Sequence, residues 1–157
     1  MKQIISFIIT LCFSLVTFQS YAEKGVEALS PELRILLSKE MLSLQEGMKA
    51  IFPAYISGDW HEISHIALKM KNSYILKQSL TNAQRHELHS TLPDAFLKQD
   101  QQFHYLAGML SHAADMEKLE LVGFYYSELT NSCVSCHSQF ALHRFPALNS
   151  KLTPHKH

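Results

Sequence analysis

From residue 31 onward, apolar side chains recur every three or four positions, the period of an α-helix, and no stretch alternates as a strand would. Ser30-Pro31-Glu32 marks a helix start, with Ser30 as cap and Pro31 at the first helical position. Leu33, Leu37, Met41, Leu44, Met48 and Ile51 then form an inner stripe before Pro53, which predicts a first helix over 31–52. Asp59 with Glu62 three residues on reads as a capping box. It opens a second helix over 59–79 whose inner face is Ile63, Ala67, Met70 and Tyr74. Thr81 with Gln84 caps a short helix that ends at Leu92-Pro93.

Asp94 is read as the cap of a third long helix over 94–114 carrying Phe96, Phe103, Leu106 and Leu110. The last helix begins after Asp115, and Leu119, Val122, Tyr126, Leu129, Cys133, Cys136 and Phe140 step by three and four along it. Both cysteines are thereby expected on its buried face. Four long helices, mostly joined by short connections, describe an all-α antiparallel four-helix bundle, the architecture that holds cofactors between facing helices. Residues 80–93 form the long connection. Phe124, Tyr125, Tyr126, Trp60 and Phe52 are read as core and bundle-end packing.

The N-terminus changes the picture of the first 30 residues. Residues 1–22 carry one cation, Lys2, then an apolar run from Ile4 to Phe18, then Ser20-Tyr21-Ala22. That order is a secretory signal peptide, and the run is too short for a stable membrane anchor. One domain, residues 23–157, is expected to remain, in the periplasm. Its acidic and basic residues nearly balance, so neither nucleic acid nor an anionic membrane is expected as a partner.

Cys12 leaves with the signal, so the exported chain keeps two cysteines, three apart. Cys133-Val134-Ser135-Cys136-His137 is the CxxCH haem-attachment sequence. Residues three apart lie on one side of a helix, so two thiols can add across two vinyl groups of one haem edge. The next residue brings an imidazole to the iron, giving one covalent haem c per chain with His137 as ligand. A zinc site would need two further ligands at matching spacing, and a thioredoxin-type pair would need a βαβ context. A structural disulfide is the third alternative, although it would close a loop too small to stabilise much.

A CxxCH near the C-terminus of a four-helix bundle resembles the class II cytochromes c, the cytochrome c′ family, across nearly all of the exported chain. The resemblance matches Cys133 and Cys136 to the thioether cysteines, His137 to the proximal ligand and Phe140 to the aromatic residue that follows it. Where the family usually has a basic residue after that aromatic, this chain has Ala141, and Arg144 comes three later. Members with a methionine early in the first helix are six-coordinate electron carriers, whereas those without a ligand there are five-coordinate and bind nitric oxide or carbon monoxide.

Met41 occupies the matching place, one heptad before Met48, once a one-residue insertion near Pro53 is allowed. The reading is therefore a one-electron carrier ligated by His137 and Met41, with a gas-binding protein as the alternative. Met48 is the second candidate for the sixth ligand; core packing is the competing role for Met41, as it is the expected one for Met48, Met70 and Met109. The resemblance further implies transient redox partner proteins and allows a homodimer through the first helix. A helical interaction domain with a disulfide is the non-haem rival.

No distal acid and base can be named, so an enzymatic activity such as peroxidase is not expected. His61 and His65, four apart, share a helix face where a metal could be clamped, but no third ligand is evident and a solvated face is the expected role. His104, between Phe103 and Tyr105, is expected to be a surface or a satisfied, partly buried side chain rather than a group reaching a haem propionate. His155 and His157 belong to the tail. N-terminal sequencing of exported protein should start at or near Glu23; a chain that retains Met1 would refute the cleavage.

Overall fold

The structure is a computed structural model that describes residues 25–149. The signal segment 1–22, Cys12 within it, and His155 and His157 lie outside the described residues. Among the described residues all regular structure is helical: α1 (Pro31–Ser57), α2 (Trp60–Lys71), α3 (Leu76–Ser79), α4 (Asn82–Thr91), α5 (Asp94–Asp115) and α6 (Leu119–Phe140), with single 3₁₀ turns at Val26–Ala28 and Pro146–Leu148. No helix among them is long and apolar enough to cross a membrane.

The caps explain most of the boundaries. The Ser30 hydroxyl accepts from the Leu33 amide, the Asp59 carboxylate from the Glu62 amide, and Thr81 with Gln84 forms a full capping box. Gly58 ends α1 at φ +70°, a conformation that suits glycine. Asp94 does not cap α5: Pro93 holds the cap position with extended backbone, and Asp94 sits in the first turn, where its charge favours the positive end of the helix.

Pro53 does not end the first helix, which runs on to Ser57. A proline ring is compatible with helical φ and removes one amide donor, so the cost is a missing bond to the carbonyl four residues back. Pro53 and Lys49 both face solvent, where water can take that carbonyl, while Ile51 and Ala54 on the opposite side are buried. Burial of those two outweighs the lost hydrogen bond.

The second helix is shorter than its periodicity predicts, ending at Lys71 instead of 79. Ser73 adopts a left-handed backbone at φ +59°, and the amides of Tyr74, Ile75 and Leu76 turn toward one buried acid. The Glu40 carboxylate, with the residue only 2% exposed, accepts all three at 2.9, 2.6 and 3.2 Å. Three amide donors to one carboxylate are worth more than continuing the α2 ladder, and the chain leaves the helix there.

Long-range bonds give the direction and register of the four long helices. The Tyr55 hydroxyl donates to the Leu119 carbonyl and the Tyr126 hydroxyl to the Met48 carbonyl, so α1 and α6 run antiparallel in heptad steps. Ser64 meets Ser111, and Nδ1 of His104 lies 2.7 Å from the Met70 carbonyl, which makes α2 and α5 antiparallel. Gly47 lets α1 approach Ile66, Met70 and Tyr74 of the α2 side, where a Cβ would stand 2.7 Å from the tyrosine oxygen. The rings of Phe96 and Phe140 meet edge to face at 5.3 Å and pair α5 with α6.

The core divides in two. An upper cluster built on Leu44, Ile51, Ile63, Met70, Phe103, Leu110, Val122 and Leu129 lies where all four long helices overlap. A lower cluster of Leu29, Leu33, Leu37, Leu92 and Phe96 lies beyond the end of α2, where α3 and α4 supply Leu76, Leu80 and Leu88 in its place. Phe52 and Phe124 are exposed at 55% and 54%, so these two aromatics do not pack as expected, whereas Tyr125, Tyr126 and Trp60 do. Replacing Glu40 by leucine should cost about 2–3 kcal/mol in urea denaturation, because three amides lose their acceptor. An unchanged midpoint would mean that those amides find other partners.

Candidate functional site

The α1–α6 register determines which residues share a level. Tyr55 pairs with Leu119 and Met48 with Tyr126; one heptad further down α1 and up α6 sets Met41 level with Cys133. Met41 is half-buried and packs against both core clusters. Cys133 packs against the upper cluster, Cys136 and Phe140 against the lower. Of the residues named from sequence, Met41 thus bridges the two halves of the core, while Cys133 on one half and Cys136 and Phe140 on the other follow one another along α6, with His137 next to Cys136 in the chain.

Both thiols are free and half-buried, on the side of α6 that packs against the core clusters. The stripe of α6 is narrower than its apolar pattern: Val122 and Leu129 are buried, whereas Leu119 is 49% exposed. Burial raises the Cys133 pKa, and burial together with the charge of Asp100 and the neighbouring Cys133 pushes Cys136 up to about 11. They are therefore protonated thiols at neutral pH. The His137 pKa is lowered, first by burial and then by the Arg144 charge, which favours the neutral imidazole that can ligate a metal. Among the described residues neither ring nitrogen of His137 has a hydrogen-bond partner, and its ring is stacked on Phe145 at 4.4 Å and 11°.

Along α5, Gln99 and Asp100 fall between Phe96 of the lower cluster and Phe103 of the upper, and the Asp100 charge acts on Cys136. Among the described residues Gln99 Oε1 is buried without a hydrogen-bond partner, an arrangement that normally costs stability. Two free thiols three apart on one helix side, an imidazole whose nitrogens are open among the described residues and a thioether at the level of the first thiol are donors that could hold a flat, mostly apolar group through thioether bonds and metal ligation.

The other histidines fall elsewhere. His61 and His65 open onto a cleft of about 560 Å³ between α2 and α5, together with His112, Asp115 and Lys71. Among the described residues no set of three His, Cys, Asp or Glu side chains is placed to hold a metal ion, and His65 pairs instead with Glu62 at 3.5 Å. His104 is a satisfied, partly buried side chain, bonded to the Met70 carbonyl and near Asp100 at 3.5 Å. Of the methionines, Met70 is fully buried core, and Met48 packs half-buried on the upper cluster.

Sequence reasoning missed Glu40, Gln99 and Phe145. Glu40 was visible as a charge on the inner face, since the buried positions of α1 are Leu33, Leu37, Glu40, Leu44, Gly47, Ile51 and Ala54, with Met41 and Met48 on the flank. Gln99 shares the helix face of Phe96 and Phe103. Phe145 lies past the last helix, where no periodicity points to it. Comparison with protein-family models, with curated proteins and with solved structures yields no match.

Burial by itself would lower the His104 pKa, but its hydrogen bond to Asp100, the Asp100 charge and the bond to the Met70 carbonyl outweigh that and the opposing Lys77 charge, and the net direction is upward. A raised folded value means that protonated His104 stabilises the fold. That contribution is complete below the ordinary imidazole value of about 6.5 and is lost as pH rises through the folded one. The gap in urea midpoint between the parent and His104→Gln should thus shrink from about pH 6 to about pH 9. A gap that widens over that range contradicts the assignment.

Proposed function

We propose that this chain is a monohaem c-type cytochrome of the cytochrome c′ type that carries single electrons in the periplasm, with haem c attached through Cys133 and Cys136, His137 as the proximal ligand and Met41 as the second. The observation that carries the reading is the register of α1 on α6, which brings the one half-buried thioether touching both core clusters level with the first attachment cysteine. The CxxCH spacing and the free state of both thiols support it independently. A disulfide-stapled interaction domain has no such support, because the thiols are apart from one another's bonding.

Haem held in this way supplies a one-electron Fe(III)/Fe(II) couple. The residues' part is to bind and to tune. Cys133 and Cys136, on one side of α6, present their thiols to one edge of a flat group, and attachment keeps the imidazole of His137 at high local concentration beside the metal. Met41 offers a soft thioether, which favours the ferrous state over what a second imidazole would give. Phe96 and Phe140, paired edge to face, give the lower cluster beside Cys136 an apolar surface that would exclude water and lower the local dielectric. The reading assigns the chain electron transfer rather than catalysis.

Transient docking to redox partner proteins follows from that role. Protein matured in a haem-attaching host should show the mass of the polypeptide plus one haem; the bare polypeptide mass would overturn the reading. Reduced protein should give the visible spectrum of a six-coordinate low-spin iron unaltered by carbon monoxide, and Met41→Ala should become carbon monoxide-sensitive. A parent that already binds carbon monoxide would instead establish the five-coordinate, gas-binding form. A Met41→Ala spectrum identical to the parent would leave Met41 as packing.

A further inference from the structure

The chain beyond α6 does not drift into solvent but folds back onto it. The amide of Ala141 donates to the His137 carbonyl, and the amides of Arg144 and Phe145 donate to the Ala141 carbonyl at 2.9 and 3.0 Å. His143 reaches Glu27 in the N-terminal 3₁₀ turn, with Nε2 3.0 Å from the carboxylate. These bonds hold residues 141–145 as a turn that carries Phe145 back along the helix end. The Phe145 ring, 40% exposed, lies face to face with the imidazole of His137 at a centroid separation of 4.4 Å and an angle of 11°.

An exposed phenylalanine is normally a cost, and the geometry suggests what offsets it. A ring stacked in this way covers a π face of the imidazole and leaves the in-plane lone pair and N–H at the ring edge untouched, which are the groups a metal ligand uses. Ligating histidines usually have their ring plane held by a hydrogen bond from the second nitrogen to a protein acceptor. Here that bond is missing among the described residues, and the stack with Phe145 is a contact that bears directly on the plane of the ring.

We propose that Phe145 is the positioning residue of His137: by stacking on the imidazole it sets the plane of the ring presented to the iron and shields that ring from water. This rests on the haem reading above. The orientation of the axial imidazole controls how unpaired spin spreads over the macrocycle, so it is read directly in the ferric protein as the spread of the hyperfine-shifted haem methyl resonances.

The test uses the full chain matured in a haem-attaching host as parent, Phe145→Ala and Phe145→Tyr. Haem attachment is checked first by mass. The proton NMR spectrum of each ferric protein is then compared, with thermal unfolding recorded in parallel. Phe145→Ala should carry haem yet show a changed haem-methyl spread and faster solvent exchange of the His137 ring N–H, whereas Phe145→Tyr, which keeps the ring face, should reproduce the parent. If Phe145→Ala keeps the parent's methyl spread, with or without a lower melting temperature, the residue is packing only and the proposal fails. If Phe145→Tyr departs from the parent as far as Phe145→Ala does, the stacked face is not what matters and the proposal fails equally. A parent chain of bare polypeptide mass would sink the haem reading itself, which separates that failure from this one.

Discussion

A carboxylate with no room for water must find donors inside the protein, and at Glu40 the donors are the backbone amides of Tyr74, Ile75 and Leu76. That single arrangement determines where α2 stops and where the connector begins, because the same three amides cannot serve both the acid and a continued helix. Once α2 ends at Lys71, the lower half of the bundle has only three long helices, and α3 and α4 fill the fourth place with Leu76, Leu80 and Leu88. The core then has two halves with a seam between them. Everything proposed for function sits on that seam or at its edge.

The seam is also where the packing rules of the bundle relax. Above it, Leu110, Leu129, Val122 and Ile63 are wholly buried in interdigitated layers. At the seam Met41, Cys133, Cys136 and Phe140 are half-buried, and Gln99 buries an oxygen without a partner. A protein optimised for stability alone would satisfy or remove such a group, and local departures from that rule are expected where a site must accept something else. The proposed haem would bear on the first of these, since it would supply apolar surface to the flanking methionine and cysteines.

Much of the architecture was legible from spacing. The helix starts at Ser30, Asp59 and Thr81 are local chemistry, one side chain answering an amide three residues on, and such signals survive folding unchanged. The spacing of Cys133, Cys136 and His137 is equally local, because the three lie within five consecutive residues of one helix. The ends of helices were less legible. Pro53 looked like a stop because its missing bond is a local cost, whereas the burial of Ile51 and Ala54 that overrides it is a property of the packed bundle. The inner stripe of α1 was read through Met41 and Met48 when it runs through Glu40 and Gly47, a rotation that places the methionines on the flank.

The sequence by itself determined the helical period, the caps, the all-helical class and the chemistry available at Cys133, Cys136, His137 and Met41, since each depends on residues a few positions apart. Only the tertiary structure decided that Met41 stands level with Cys133, that Glu40 ends α2 by drawing in amides more than 30 residues away, and that Phe145 turns back onto His137. These are contacts between elements. Their geometry follows from how whole helices pack, and packing is a sum over many weak apolar contacts that no short stretch of chain encodes alone.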